Sequence, residues 1–300
     1  SYRGEIVGST GRIGSALHRF SGGALFPVPR DQSSFRVGSV SPSHSPIFVC
    51  TGAEAVLDVL SATTKGRQKD LVLMQNGFMR EFFRNHAHRG LPGEGERGSS
   101  SDLDQLTIAV LYFSVLERGG PATEGGITYV HGRWAEEFAQ LLQAGNLRCE
   151  IVASARHIDV LALGKLLWSS CLWLVCHDFG GVSVGEVHRT PDMRSRLLSL
   201  LAELLPIAQR AFDGGASVDH QEGGHTSAPS SGVQGLGSVE EVMGRMEAYS
   251  LRIAHALPSR DLAIKELQYR NGWFLARAPK EQQQLHCSLL QKIVGEVPVL

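Results

Sequence analysis

The chain runs to 300 residues, enough to fold as two domains with separate cores, and its 42% apolar and 20% charged residues are those of an ordinary globular protein. A formal net charge of −1 with no basic stripe lacks the electrostatic footprint of a nucleic-acid binder. Five scattered cysteines without a CxxC argue against a disulfide framework or a zinc site and for a reducing compartment, and the twelve histidines form no HExxH and gather no carboxylates, so no metal is expected.

Residues 5–7 read as a strand, followed by a glycine turn and an amphipathic helix over 12–20. Residues 24–28 suggest a second strand, in which Pro27 removes a ladder donor and is uncomfortable at a central position. A strand at 46–50, a helix at 53–60 and a strand at 71–75 continue the alternation that builds a parallel sheet with helices on its faces. The Gly-, Ser- and charge-rich stretch 89–102 reads as a mobile loop. Two strands over 107–116 and 127–131, a helix over 134–143 and a strand over 147–152 complete this half.

From residue 156 strands stop and a 3.6-residue period takes over, giving helices over 157–176 and 193–212. The greasy run LLWSSCLWLVC (166–176) is broken by Ser169 and Ser170 and is shorter than the roughly 18 apolar residues of a membrane span, so it is expected to be a buried helix. Residues 213–237 are Gly-, Ser- and His-rich and read as a disordered loop. Ser238 opens a capping box with Glu241, and Ser259 caps the helix that carries Glu266. The expected organisation is a doubly wound α/β domain over 1–155 and an all-helical domain over 156–300. The first residues lead straight into a strand, so no leader is visible; since the chain does not begin with Met, a removed leader is the alternative.

Four segments carry chemistry. Gly8, Gly11 and Gly14 form GxxGxxG between a strand and a helix, where a tight turn lets the backbone approach a pyrophosphate lying on free helix amides. Ser9 stands where the stricter GxGxxG needs glycine, and a plain glycine turn is the alternative. Arg30 follows the second strand, where an arginine suits the 2′-phosphate of NADPH and an acid would suit NADH; beside it stands Asp31, and a solvated loop arginine is the other reading. Asn76 precedes Gly77 at the end of the strand LVLMQ, a place for an amide that binds ribose or substrate, or for an ordinary Asn-Gly turn. Lys165 lies on an apolar helix, where its ammonium is costly unless paired, opening into a cavity, or snorkelling to the surface. A desolvated lysine can protonate a developing alkoxide. Glu266 is its candidate partner, although Arg260, Asp261, Lys265 and Arg270 around it suggest a solvated face.

With these residues the sequence resembles the ketopantoate reductases (2-dehydropantoate 2-reductases). KELQYRNGWFLARA (265–278) is similar to that family's glutamate followed five and six residues later by Asn-Gly, and GKLLWSSCLWLV (164–175) resembles its lysine-bearing helix. VGEV (184–187) resembles the Gly-Glu turn after that helix, and MQNG (74–77) the family's Asn-Gly on the cofactor and substrate side. The resemblance implies a Rossmann-type N-terminal domain and a helical substrate and dimerisation domain. It also implies NADPH held by Gly8, Gly11, Gly14, Arg30 and Asn76, with Lys165 as proton donor and Glu266 as the active-site glutamate. Ser169 stands where the family has an asparagine, which makes it a candidate substrate-binding residue, and Trp173 where the family has another. Ser250 matches the serine that binds the substrate carboxylate, at a longer spacing. A family lysine after the strand ending at Cys50 has no equivalent, and residues 31–45 are too few for the usual strand and helix. The implied activity is NADPH-dependent reduction of a small 2-oxo acid such as ketopantoate, by a homodimer or a subunit of a larger assembly in the cytoplasm or an organelle matrix. The alternative is a degenerate relative that binds or supports without catalysis.

Overall fold

The computed structural model describes residues 3–29, 36–87, 106–216 and 235–295, and the chain divides into two compact units, Ser1–Ile158 and Asp159–Leu300. In the first, strands β1 (Gly4–Val7), β2 (Leu25–Pro27), β3 (Ile47–Val49), β4 (Leu71–Leu73) and β5 (Thr107–Val110) lie beside β8 (Thr128–His131) and β9 (Cys149–Ile151) in one sheet of order β2-β1-β3-β4-β5-β8-β9. Every neighbouring pair is parallel except β5 with β8. GEIV, IFV, LVL and TIAV are buried throughout, as strands covered on both faces must be. Pro27 is accommodated because β2 is the edge strand among the described residues. The core gathers Ile6, Leu17, Phe48, Val72, Phe138 and Leu141 between the sheet and the helices α1 (Arg12–Phe20) and α4 (Ala135–Ala144).

The short connection from β2 to β3 is held by charge. Glu5, fully buried in β1, accepts the backbone N–H groups of Gly38, Val40 and Ser41 at 2.7, 2.8 and 2.7 Å. Arg67 donates to the carbonyls of Gly38 and Ser45 at 3.0 and 2.8 Å and pairs with Asp70 at 2.6 Å.

The strand expected over 107–116 is broken. Beyond Val110 the N–H of Tyr112 donates to Thr128 Oγ1 at 3.0 Å and its carbonyl accepts Gly125 N–H at 2.8 Å, which ends the ladder. The chain then forms a separate hairpin of β6 (Phe113–Val115) and β7 (Ala122–Glu124). The helix expected from residue 53 starts as a 3-10 turn and becomes α2 (Val56–Ala62); a further helix, α3 (Met79–Ala87), had no expectation.

The second unit is all helical among its described residues: α5 (Ala155–Asp178, whose first residues belong to the other unit), α6 (Val184–Arg189), α7 (Pro191–Ala216), α8 (Val239–Arg252), α9 (Arg260–Lys265), α10 (Asn271–Leu275) and α11 (Gln284–Val294). Helix α5 is longer than expected, and an 18-residue window of mean hydropathy 1.6 makes it long and apolar enough to cross a membrane by length and composition; 67% of that window is buried inside the fold. VGEV forms a helix and not a turn, because Ser183 caps it and Gly185 leaves room for Ala254, whose Cβ would lie 2.5 Å from an added methyl. The capping box of Ser238 and Glu241 is present, and Ser259 caps α9. Residues 213–216, expected in a disordered loop, continue α7. Residues 217–234, the rest of that loop up to Gly235, and the loop expected over 89–102 lie outside the described residues, as does Arg30.

Candidate functional site

The candidate residues fall into two groups, one in each unit. In the first unit, Val7, Val49 and Leu73 are in register, so Gly8, Cys50 and Met74 follow them along one edge of the sheet. The chain passes from β1 to β2 on one side and to β3 on the other, which makes this edge the topological switch point where α/β sheets bind ligands. Gly8 adopts φ 80°, a conformation that favours glycine. Gly11 is the N-cap of α1 and donates to the Gly8 carbonyl at 3.0 Å. A Cβ on Gly14 would lie 2.1 Å from that same carbonyl oxygen, so Gly14 permits the close approach of helix and strand. These are the second and third glycine roles of a phosphate-binding turn, with Ser9 in the first.

Helix α1 begins without a side-chain cap and without an acid in its first turn, leaving its amide dipole to an anion, and the exposed Arg12 adds a positive charge there. Thr51 Oγ1 is buried at the neighbouring strand end with no hydrogen-bond partner. An uncapped helix start, a glycine cradle and an orphaned hydroxyl fit a dinucleotide. Gln75 crosses the same edge, donating to the carbonyls of Val49 and Thr51 at 2.7 and 3.1 Å, which fixes the strand ends that Asn76 follows. Asn76 is half-buried, and Gly77 at φ 112° has the geometry of a turn. Burial pushes the Cys50 thiol up, which keeps it protonated and inert.

In the second unit the structure brings Lys165 and Glu266 together, although they are separated by 100 other residues. Glu266 ends helix α9 and is 9% exposed, so the solvated-face alternative does not hold for it. It forms an ion pair with Arg270, one turn on, whose side chain is 11% exposed. Burial, then repulsion by Arg270, lowers the Lys165 pKa to about 8 against the attraction of Glu266. Arg270 was missed as a site residue; its i, i+4 spacing from Glu266 was the available signal.

The two serines are engaged elsewhere. Ser169 Oγ donates to the Leu166 carbonyl of its own helix at 3.1 Å. Ser250, fully buried in α8, accepts the indole N–H of Trp168 at 2.9 Å. Trp173 is not in a pocket: it is 1% exposed and donates its indole N–H to Asn271 Oδ1 at 2.7 Å. Asn271 Nδ2 donates in turn to the Ser170 carbonyl at 3.2 Å and to His286 Nε2 at 3.0 Å. The other His286 nitrogen, Nδ1, donates to Gln283 Oε1 at 2.9 Å, and burial lowers this histidine's pKa to about 3, fixing it neutral. Among the described residues no cluster of His, Cys, Asp and Glu could hold a metal ion.

The chain is similar in structure to a probable 2-dehydropantoate 2-reductase from Bacillus subtilis, with a TM-score of 0.60 at 15% identity over 95% of this chain and 98% of that one. It is also similar to a dimeric ketopantoate reductase from Staphylococcus aureus (TM-score 0.57, 17% identity, 97% of each chain). D-mandelate dehydrogenase in its complex with NADH gives a TM-score of 0.59 at 14% identity over 97% of each chain. At this identity the likeness establishes the fold: a Rossmann-type N-terminal sheet and a C-terminal helical region, as in the ketopantoate reductases. No family model and no curated protein matches the chain.

Proposed function

We propose that the protein is a nicotinamide-dependent oxidoreductase that reduces a 2-oxo acid such as ketopantoate with NADPH. The observation that carries this reading is the buried Lys165–Glu266–Arg270 group. An ordinary lysine, near 10.5, is a poor acid at neutral pH; at about 8 its ammonium is roughly 300-fold more acidic and close to the range of an efficient general acid. Lys165 gives its proton to the ketone oxygen as negative charge develops there, and Glu266 orients the ammonium. A reduced nicotinamide supplies the hydride when bound. Gly11, Gly14 and the free amides of α1 hold the pyrophosphate, with Arg12 adding positive charge there, and Arg30 favours the 2′-phosphate of NADPH. The dimeric neighbour makes a homodimer the expected assembly.

A second reading, a binding or structural subunit without catalysis, is favoured by the engagement of Ser169 and Ser250 inside the fold. One experiment separates them. NADPH at 100 times its dissociation constant should stabilise the protein by about 2.7 kcal/mol, NADPH should be oxidised with a panel of small 2-oxo acids, and Lys165→Ala should lower kcat by about 10²–10⁴ without changing NADPH affinity. A wild type that binds NADPH and oxidises none of it, or a Lys165→Ala variant with full turnover, leaves the non-catalytic reading.

A further inference from the structure

A 2-oxo acid brings a carboxylate that needs a donor. The residue the family resemblance offers is Ser250, but its hydroxyl is fully buried and already takes the Trp168 indole N–H; Ser169 is bonded to its own helix. Neither is available. Beside Lys165, by contrast, stands a guanidinium that is incompletely satisfied: Arg270 pairs with Glu266 through Nη2, while its Nε–H is buried with no acceptor. A buried N–H without an acceptor is unfavourable unless a ligand supplies one. The charges point the same way, since Arg270 and Lys165 are two cations beside the carboxylate of Glu266 and repel one another. A planar guanidinium also matches the geometry of a carboxylate better than a hydroxyl does.

We infer that Arg270 selects the substrate by charge, its guanidinium receiving the carboxylate of a small oxo acid while Glu266 holds it in place, so that the site takes the acid and rejects its ester. The inference rests on the reductase reading for the reaction, but the anion site itself is measurable without turnover. The probes are oxamate, an unreactive carboxylate isostere of a small 2-oxo acid, and its methyl ester, titrated by calorimetry into the full chain with NADPH present. Wild type should bind oxamate at least about tenfold more tightly than the ester. Arg270→Met should abolish that preference and leave the ester unchanged, and Arg270→Lys should keep part of it. If Arg270→Met does not fold because Glu266 is left buried and unpaired, Glu266→Gln with Arg270→Met removes both charges and gives the same readout.

Equal oxamate affinity in wild type and the double variant overturns the inference, as does a wild type with no preference for oxamate over the ester. A purely structural role for Arg270 shifts the melting temperature and leaves the acid-to-ester ratio alone. If wild type reduces 2-oxo acids and oxamate binding ignores Arg270, the inference fails by itself. If oxamate binding depends on Arg270 and NADPH is never oxidised, the reductase reading fails and Arg270 stands as an anion site.

Discussion

Asn271→Leu keeps the branching and heavy-atom count of a buried side chain and removes three hydrogen bonds at once, those with Trp173, His286 and the Ser170 carbonyl. The carbonyl lies within α5 and retains its place in the helix ladder, so its loss is small. Trp173 Nε1 is left as a donor without an acceptor in a core where the residue is 1% exposed, and His286 Nε2, an acceptor in a fully buried ring, loses the amide that donates to it. Each of these two groups costs about 1–3 kcal/mol, so the total should be about 2–6 kcal/mol. For a unit of this size that is a fall in Tm of roughly 10 °C. Urea denaturation followed by tryptophan fluorescence reads the change, and Trp173→Phe in both backgrounds completes a double-mutant cycle. The coupling between the two residues should be about 1–2 kcal/mol. A variant as stable as wild type, or strictly additive effects, would refute the network.

The glycine turn separates folding from binding. Gly14→Ala places a methyl 2.1 Å from the Gly8 carbonyl oxygen and should destabilise by about 1–3 kcal/mol or more, while Gly11→Ala meets that oxygen at 3.2 Å, a crowding that a small backbone shift relieves, and should destabilise less yet bind NADPH more weakly in calorimetry. Equal melting temperatures for the two variants would count against the assigned roles. The buried His286 gives stability a pH dependence: its folded pKa, about 3, lies below the unfolded value of 6.5, so below pH 6.5 only the unfolded chain takes up the proton. Stability is therefore full above about 6.5 and falls toward pH 3 with a slope of up to about 1.4 kcal/mol per unit. His188, also pushed down by burial, adds in the same direction. Urea midpoints at pH 7 and 5 should fall in wild type and fall less in His286→Gln; parallel curves would show that the ring is not held neutral.

What was legible in the sequence is what depends on neighbours along the chain. The strand–turn–helix at Gly8–Gly14, the capping box at Ser238 and the change of periodicity near residue 155 are local, because they follow from φ angles, free amides and spacing. The break after Val110 was not legible, because it depends on a hydroxyl supplied by Thr128. The burial of Glu266 was equally hidden: KELQYR carries charge at three of its six positions, and only tertiary packing, tied to α5 through Asn271, makes a solvated pattern into a desolvated ion pair. Trp173 illustrates the same limit in reverse. It stands where the family has an asparagine, and only the structure shows it to be the donor that satisfies Asn271.

That pairing bears on how the reactive residues are held. Ser170 and Trp173 lie five and eight residues after Lys165 on α5, and Asn271 immediately follows Arg270 and stands five residues after Glu266. The bonds from Asn271 to the Ser170 carbonyl and from Trp173 to Asn271 therefore set both the rotation and the translation of the Glu266–Arg270 segment against the lysine helix. Apolar side chains of equal volume would fill the space but would tolerate sliding by a fraction of a turn, since dispersion contacts are not directional, whereas a hydrogen bond fails steeply with distance and angle. Burial and then the Arg270 charge lower the Lys165 pKa against the attraction of Glu266, and these charges act over a few ångströms in a poorly screened interior, where a small shift changes their balance. On the proposed reading the buried amide of Asn271 is thus a positioning residue for Lys165, and the stability of this core and the acidity of that lysine have a common structural cause.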